Sequence, residues 1–364
     1  MIYADNAATT VVKNEIAAAM IPWLINYYGN PSSQYEFGRK AKAAIDYARE
    51  IISDKINCLP EEIIFTSCGS EANTQAIMSI ALTTPKDRSR IVSDALEHKS
   101  VLHTLECIAP MKEVVMIDPT NFTELSQAIH QNAAGLVSIM AVNNEVGLVN
   151  NLEKIGGMCS ATDTPFHTDA VQAFCKIPID VQTMDIDLLS ASGHKIHAPK
   201  GVGFLYVNRR YHDRMSSIIQ GGGQEGGLRP GTENVASIVG LGVAVELSHY
   251  QSYTIGDHFK VRFEETFPKA KIIGHGNIYT VCMEPYGLRS EQIIEYMDEH
   301  EICISSGSAC DAGSGTPSHV LKALGYTDSE ALSSVRLSFD DEFNTMAEVD
   351  EIIKVMQSMV DLLC

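Results

Sequence analysis

Short, nearly unbroken apolar runs alternate with stretches of helical spacing, and this alternation restricts the fold more than any other feature. Glu62–Thr66, Arg90–Ser93, Gly135–Ala141, Pro165–Thr168, Ile186–Ser190 and Gly203–Val207 read as strands. Runs this apolar suit strands covered on both faces. Ala41–Ile56, Asn73–Leu82 and Ser100–Ile108 have helical spacing. The pattern predicts an α/β fold, with a mostly parallel central sheet flanked by helices. It changes after about residue 250, where helix-like Ser290–His300 and Asp350–Leu363 flank strand-like Ile278–Met283 and Ser334–Phe339. That part reads as a smaller α+β domain.

The 364 residues suffice for two domains with a large core. A formal charge of −19 argues against binding nucleic acid or an anionic membrane. Apolar runs such as Ile238–Leu247 are too short to span a bilayer. The start, Met1-Ile-Tyr-Ala-Asp5, shows no secretion signal. Nine scattered cysteines, with no Cys-x-x-Cys pair, predict neither a disulfide framework nor structural zinc, so no metal site is expected. A reduced, cytoplasmic protein is the expectation.

Several motifs can carry chemistry. Ser190-Ala-Ser-Gly-His-Lys195 follows a predicted strand. A desolvated lysine there is a nucleophilic amine able to form a Schiff base, although a surface lysine after a turn is the plainer reading. His167-Thr-Asp169-Ala-Val-Gln172 also lies at a strand end. A carboxylate there can hold a protonated pyridine nitrogen, or merely cap the next helix. Open α/β sheets bind ligands at the edge where both motifs are expected. Phe65–Asn73 reads as strand, small residues and helix start, with Gly69 and Ser70 at an anion-binding position. Gln220–Thr232 is glycine-rich, and its Arg229 and Thr232 can meet an anion; a plain flexible loop is the alternative. Cys310 sits in the small, polar run Ile304–Pro317, where a thiolate can reach a substrate. The other cysteines mostly read as core filler, with Cys68 and Cys364 less typical. Glu97-His98-Lys-Ser and Val142-Asn-Asn144-Glu-Val-Gly gain meaning only from the ensemble.

Together these motifs resemble the cysteine desulfurases, in the nitrogen-fixation and iron–sulfur-assembly branch of the class V aminotransferases. The resemblance runs nearly end to end: Tyr3–Thr10, Gly29–Ser33, Phe65–Asn73, Glu97–Lys99, Val142–Gly147, His167–Gln172, Ser192–Lys195, Arg229–Thr232, Ser305–Cys310 and Ser333–Arg336. It implies the type I fold of pyridoxal 5'-phosphate enzymes and a homodimer. It also implies a large cofactor-binding domain over 13–250, and a small domain of 1–12 with 251–364 that carries the catalytic-cysteine loop. Lys195 would hold the cofactor as a Schiff base, Asp169 would pair with the pyridine nitrogen and Gln172 would touch the ring hydroxyl. His98 would stack on the ring and move protons, with Asn144 near the ring or the substrate. Gly69, Ser70, Ser192 and His194 would bind the phosphate, with Thr232 of the partner subunit. Arg336 would bind the carboxylate of L-cysteine, and Cys310 would be the nucleophile. The implied products are L-alanine and a persulfide on Cys310. The sulfur would pass to an acceptor protein, either a cluster scaffold or a transfer-RNA thiolation enzyme.

Departures from the family pattern are Tyr35 where His is usual, Thr74 where Asn is usual, and Ser338-Phe-Asp340-Asp341 in place of Ser-Leu-Gly. The stretch between about 250 and 300 is shorter than usual, and the sequence stops at Cys364 without the longer C-terminal tail that some members use to dock a scaffold protein. Two added carboxylates facing Arg336 would weaken binding of an anionic substrate. They motivate an alternative, a lyase acting on selenocysteine or cysteine sulfinate. A catalytically weak sulfur-transfer scaffold is the third reading.

Overall fold

In the computed structural model, residues 1–85, 88–130, 134–307 and 315–363 are described. They form two compact units. One comprises Met1–Thr10, Asn143–Val149 and Gln251–Cys364; the other comprises Val11–Val142 and Asn150–Tyr250. The segment Asn143–Val149 therefore lies in the smaller unit, whereas a boundary at 13–250 assigns it to the larger. Its own bonds explain this: Thr280 Oγ1 donates to the Glu145 carbonyl at 2.7 Å and Ser318 Oγ to the Glu145 carboxylate at 2.6 Å.

The smaller unit contains β1 (Ile2–Tyr3), α8 (Thr254–Thr266), β9 (Lys271–His275), β10 (Ile278–Cys282), α9 (Ser290–Glu299), β11 (Ile302–Cys303), α10 (His319–Ala323), α11 (Asp328–Ala331), β12 (Ser334–Ser338) and α12 (Met346–Leu363). β10 lies between β12 and β9 in an antiparallel sheet, and β1 pairs in parallel with β11. Phe259, Phe263, Val281, Leu337, Ile352 and Met356 are buried in its core.

The larger unit contains α1 (Asn14–Ile25), α2 (Glu36–Ile56), β2 (Ile63–Thr66), α3 (Gly69–Thr83), β3 (Arg90–Asp94), α4 (Lys99–Ile108), β4 (Glu113–Ile117), α5 (Phe122–His130), β5 (Leu136–Ser138), α6 (Leu152–Ser160), β6 (Phe166–Asp169), β7 (Leu188–Ser192), β8 (Gly203–Val207) and α7 (Val235–Glu246). Its sheet order is β2-β8-β7-β6-β5-β3-β4. β4, β3, β5, β6 and β7 are parallel, and β8 is antiparallel to both its neighbours. β2 therefore runs in the same direction as β7. The strands β2, β3, β5, β6, β7 and β8 are buried along their whole length, the apolar residues by packing and the polar ones by hydrogen bonds within the sheet. Helices α1 and α2 both pack on α7. The approach is close because α7 has no side chain at two points. A Cβ on Gly240 would sit 2.9 Å from Met20 Cγ, and one on Gly242 would sit 2.9 Å from Ala48 Cβ.

A polar row crosses the buried sheet. Ser138 Oγ on β5 lies 2.9 Å from His167 Nδ1, and His167 Nε2 lies 3.0 Å from Ser190 Oγ on β7. His167 has no exposed surface, and burial lowers its pKa from the usual 6.5 to about 3. The folded protein thus keeps this imidazole neutral, while the unfolded chain binds a proton below about 6.5. The stability it contributes is complete above that pH and is lost as pH falls toward the folded value. In urea unfolding, the stability gap between the wild type and His167→Gln is expected to shrink by about 2 kcal/mol from pH 7.5 to pH 5. A gap that stays constant would mean that His167 is not shielded from protons.

Candidate active site

Because β2, β3, β6 and β7 share one direction, their carboxyl ends lie along one edge of the sheet. Four motifs noted in the sequence are brought to that edge. Gly69 and Ser70 open α3, directly after β2. His98 is the N-cap of α4, after β3. Asp169 is the last residue of β6, opposite Ser190 of β7. Ser192 ends β7, and Gly193–Lys195 form a single 3-10 turn after it.

Asp169 is buried and held from two sides. Its Oδ1 accepts the Val171 N–H at 2.9 Å, and its Oδ2 accepts from Asn73 Nδ2 at 2.6 Å. A carboxylate bound this firmly cannot swing away when a cation arrives. Beside it, Glu97 is fully buried and accepts the Met140 N–H at 2.5 Å. Burial, with Asp94 and Asp169 near, pushes its carboxyl well above the ordinary range.

The first turn of α3 offers backbone donors of the kind an anion takes. Its N-cap, Cys68, makes no side-chain cap, so the leading N–H groups are left for another acceptor. Backbone fits tightly here: a Cβ on Gly69 would lie 2.5 Å from Val171 Cγ2 and 3.7 Å from Ser192 Cβ. Ser192 Oγ is buried and has no hydrogen-bond partner among the described residues. His194 has its pKa lowered to about 4, by burial first and then by Lys195, Lys200 and Lys176. A neutral imidazole, an unpaired hydroxyl, helix N–H groups and three lysines suit a phosphate dianion. A primary amine at Lys195 suits an aldehyde, and Asp169 suits a protonated ring nitrogen. The residues present therefore fit pyridoxal phosphate. Gln172 is also buried and accepts from Lys176 Nζ at 3.1 Å.

In the glycine-rich segment, Arg229 is already paired within the chain: its Nε donates to Glu71 Oε1 at 3.0 Å. Burial tends to raise Glu71, but hydrogen bonds from Arg229 and Ser67 hold it below its ordinary value. Glu225, at φ 48°, makes a two-pronged pair with Arg49 at 2.9 and 2.7 Å. These two ion pairs anchor the segment, and Thr232 is exposed.

In the smaller unit, Arg336 lies on β12 and is 1% exposed. Its Nη2 donates to Asp5 Oδ1 at 2.8 Å and its Nη1 to the Asn144 carbonyl at 3.0 Å. Its Nε is buried without a partner among the described residues. The backbone of Arg336 pairs in both directions with Ser305. Cys310 falls on 308–314, outside the described residues. The two added carboxylates have backbone partners of their own. Asp341 accepts the N–H groups of Ser252, Tyr253 and Ile255, at 2.8, 2.9 and 3.3 Å. Asp340 Oδ1 accepts the Glu342 N–H at 2.9 Å. The unpaired donors at the start of α8 draw the carboxylate there. The carboxylate on Arg336 is Asp5 instead, 331 residues away, a partnership that no local pattern announces.

The cysteines also depart from a uniform core role. Cys159, Cys175 and Cys282 are buried, whereas Cys58, Cys68 and Cys303 are half-buried and Cys107 is exposed on α4.

A family model described as aminotransferase class-V matches residues 2–352. A cysteine desulfurase of Trichormus azollae is 39% identical over 379 aligned positions, covering 100% of this chain and 94% of its own length. A solved structure described as SspA in complex with cysteine is 36% identical with a TM-score of 0.81, covering 93% of this chain and 99% of its own. A NifS-like protein is 30% identical with a TM-score of 0.88, covering 100% of both chains. Similarity that runs the whole length of the chain, over a sheet edge built to take pyridoxal phosphate, identifies it: the chain belongs to the class V aminotransferase family, and within it to the pyridoxal-phosphate-dependent cysteine desulfurases.

Proposed function

We propose that the chain takes sulfur from L-cysteine, releasing L-alanine and leaving a persulfide on Cys310 for transfer to an acceptor protein. The observation that carries this reading is the meeting of Lys195, Asp169 and the first turn of α3 at one sheet edge. Pyridoxal phosphate, when bound, supplies an electron sink for bonds at the substrate α-carbon.

The chain's residues take these parts. Lys195 Nζ would hold the cofactor covalently, and its amine, when free, would take the substrate α proton. Asp169 pairs with the ring nitrogen, Gln172 with the ring hydroxyl, and His98 covers the ring face. Gly69, Ser70, Ser192 and His194 hold the phosphate, with Thr232 of the partner subunit. Arg336 grips the substrate carboxylate, with Asn144 beside it. Cys310 attacks as thiolate. The new S–S bond forms as the substrate C–S bond breaks. The carbon fragment keeps the electron pair, gains a proton and leaves as alanine, and no outside oxidant or reductant is needed.

A homodimer is supported by the outer face of α1, where Ile21, Leu24 and Ile25 are 51%, 61% and 64% exposed. Seven free thiols among the described residues support a reducing, cytoplasmic setting. Cluster assembly or transfer-RNA thiolation is the downstream use of the sulfur. The reading as a selenocysteine or sulfinate lyase rested on Asp340 and Asp341 facing Arg336, and Asp341 is held by the N–H groups at the start of α8.

Alanine formed from L-cysteine is expected to turn over with a reducing thiol and to stop at about one per site without it. Cys310→Ala should keep the cofactor and form no persulfide. Undiminished alanine and sulfide from that variant would remove Cys310 from the reaction. Arg336→Lys keeps the charge but loses the fork, so it should raise KM for cysteine by about tenfold or more, with a smaller change in kcat. An unchanged KM would mean that Arg336 serves only Asp5.

A further inference from the structure

We propose that Asn73 and Ser100 are positioning residues that join Asp169 to His98 and hold His98 as the neutral Nε2–H tautomer. The inference rests on the reading that His98 and Asp169 serve the same cofactor ring, and it adds how the two are coupled.

The direction of every bond in the chain follows from groups whose roles are fixed. Asp169 Oδ2 can only accept, so the Asn73 atom 2.6 Å away is its amide nitrogen, donating. The same nitrogen lies 2.9 Å from Ser100 Oγ. Its two hydrogens therefore go one to Asp169 and one to Ser100. Ser100 Oγ accepts that bond and turns its own hydrogen to His98 Nδ1, at 2.8 Å. A second, independent bond ends at the same ring atom. The Ser100 backbone N–H, which can only donate, reaches His98 Nδ1 at 3.1 Å as the cap of α4. Nδ1 thus receives two donors and must present its lone pair. The proton of neutral His98 is then on Nε2.

The orientation of Asn73 is costly to reverse. Its side chain is 1% exposed, and its Oδ1 has no partner among the described residues. Flipping the amide would set that oxygen against the Asp169 carboxylate. The structure accepts one unpaired carbonyl in exchange for a charge-assisted bond. An amide does not conduct protons, so this chain positions groups and is not a proton wire. Its consequence is that His98 meets its partner at Nε2 as a hydrogen donor. To become an acceptor there, it would have to move its proton to Nδ1 and give up the helix cap.

The test uses holoenzyme labelled with 15N-histidine, with the His98 signals assigned by their loss in His98→Gln. The wild type should show His98 with a protonated Nε2 and an unprotonated Nδ1. Ser100→Ala should shift those signals and lower kcat by about tenfold with KM little changed, and Ser100→Thr should restore both. Asn73→Ala should shift the same signals and lower kcat further, because it also releases Asp169. In the double variant, the loss should be no larger than in Asn73→Ala alone. A proton on Nδ1, or Ser100→Ala with wild-type signals and kcat, overturns the proposal. So does a Ser100→Thr as impaired as Ser100→Ala, which would make the loss a packing effect. If the wild type forms no alanine from cysteine, the desulfurase reading fails, while the ring signals still decide the tautomer. If Asn73→Ala does not fold, the serine pair decides alone.

Discussion

The shared direction of four strands is the constraint on which the rest of the larger unit depends. β8 reverses once, and because it lies between β2 and β7 it leaves those two parallel. Had β2 joined the sheet directly beside β7 in the opposite sense, the first turn of α3 would lie at the far edge, away from Ser192 and Asp169. Instead, helix N-termini and strand carboxyl ends gather in one place. This gathering explains how a chain of formal charge −19 presents a phosphate site at all. Local geometry outweighs net charge at short range, where a helix end and Lys176, Lys195 and Lys200 act through partly buried surroundings.

The buried polar groups of the two units differ in how fully they are satisfied. Asp169 is fixed by Asn73 and the Val171 N–H. Arg336 is fixed by Asp5 and the Asn144 carbonyl, yet its Nε has no partner among the described residues. Ser192 Oγ is likewise unpaired. An unpaired buried donor costs about 1–3 kcal/mol, so such groups persist where a ligand completes them. The row through Ser138, His167 and Ser190 shows the contrasting case. There both ring nitrogens have partners, and the role is to hold strands in register.

What was legible in the sequence follows from how local each signal is. Short strand-like runs marked β2, β3, β6 and β8 within a residue or two, most plainly in β2 and β8, because a strand covered on both faces carries much of its signature alone. β4 went unmarked because it is an edge strand: Glu113 and Met116 are exposed, and only Ile117 is fully buried. α1 was obscured by Pro22 inside it and by an outer face that is itself apolar. At the site, Lys195, Asp169 and Gly69 could be found because strand ends are local features. Asn73–Asp169 and Arg336–Asp5 join residues 96 and 331 positions apart, and no spacing rule reaches that far. Closeness in sequence to Arg336 likewise did not announce that Asp341 would accept the N–H groups at the start of α8.

Arg336 shows how a charge can be stored before use. A buried guanidinium without a counter-charge is strongly destabilising, and Asp5 supplies one in the folded chain. On the proposed reading of Arg336 as the group that holds the substrate carboxylate, that carboxylate would meet an arginine already paired and would gain only what the remaining donors of the fork add. Tight binding of the free substrate lowers KM without speeding the chemical step, whereas interactions completed later raise kcat. What the fold itself requires of Asp5 is narrower: its one oxygen makes a buried cation tolerable.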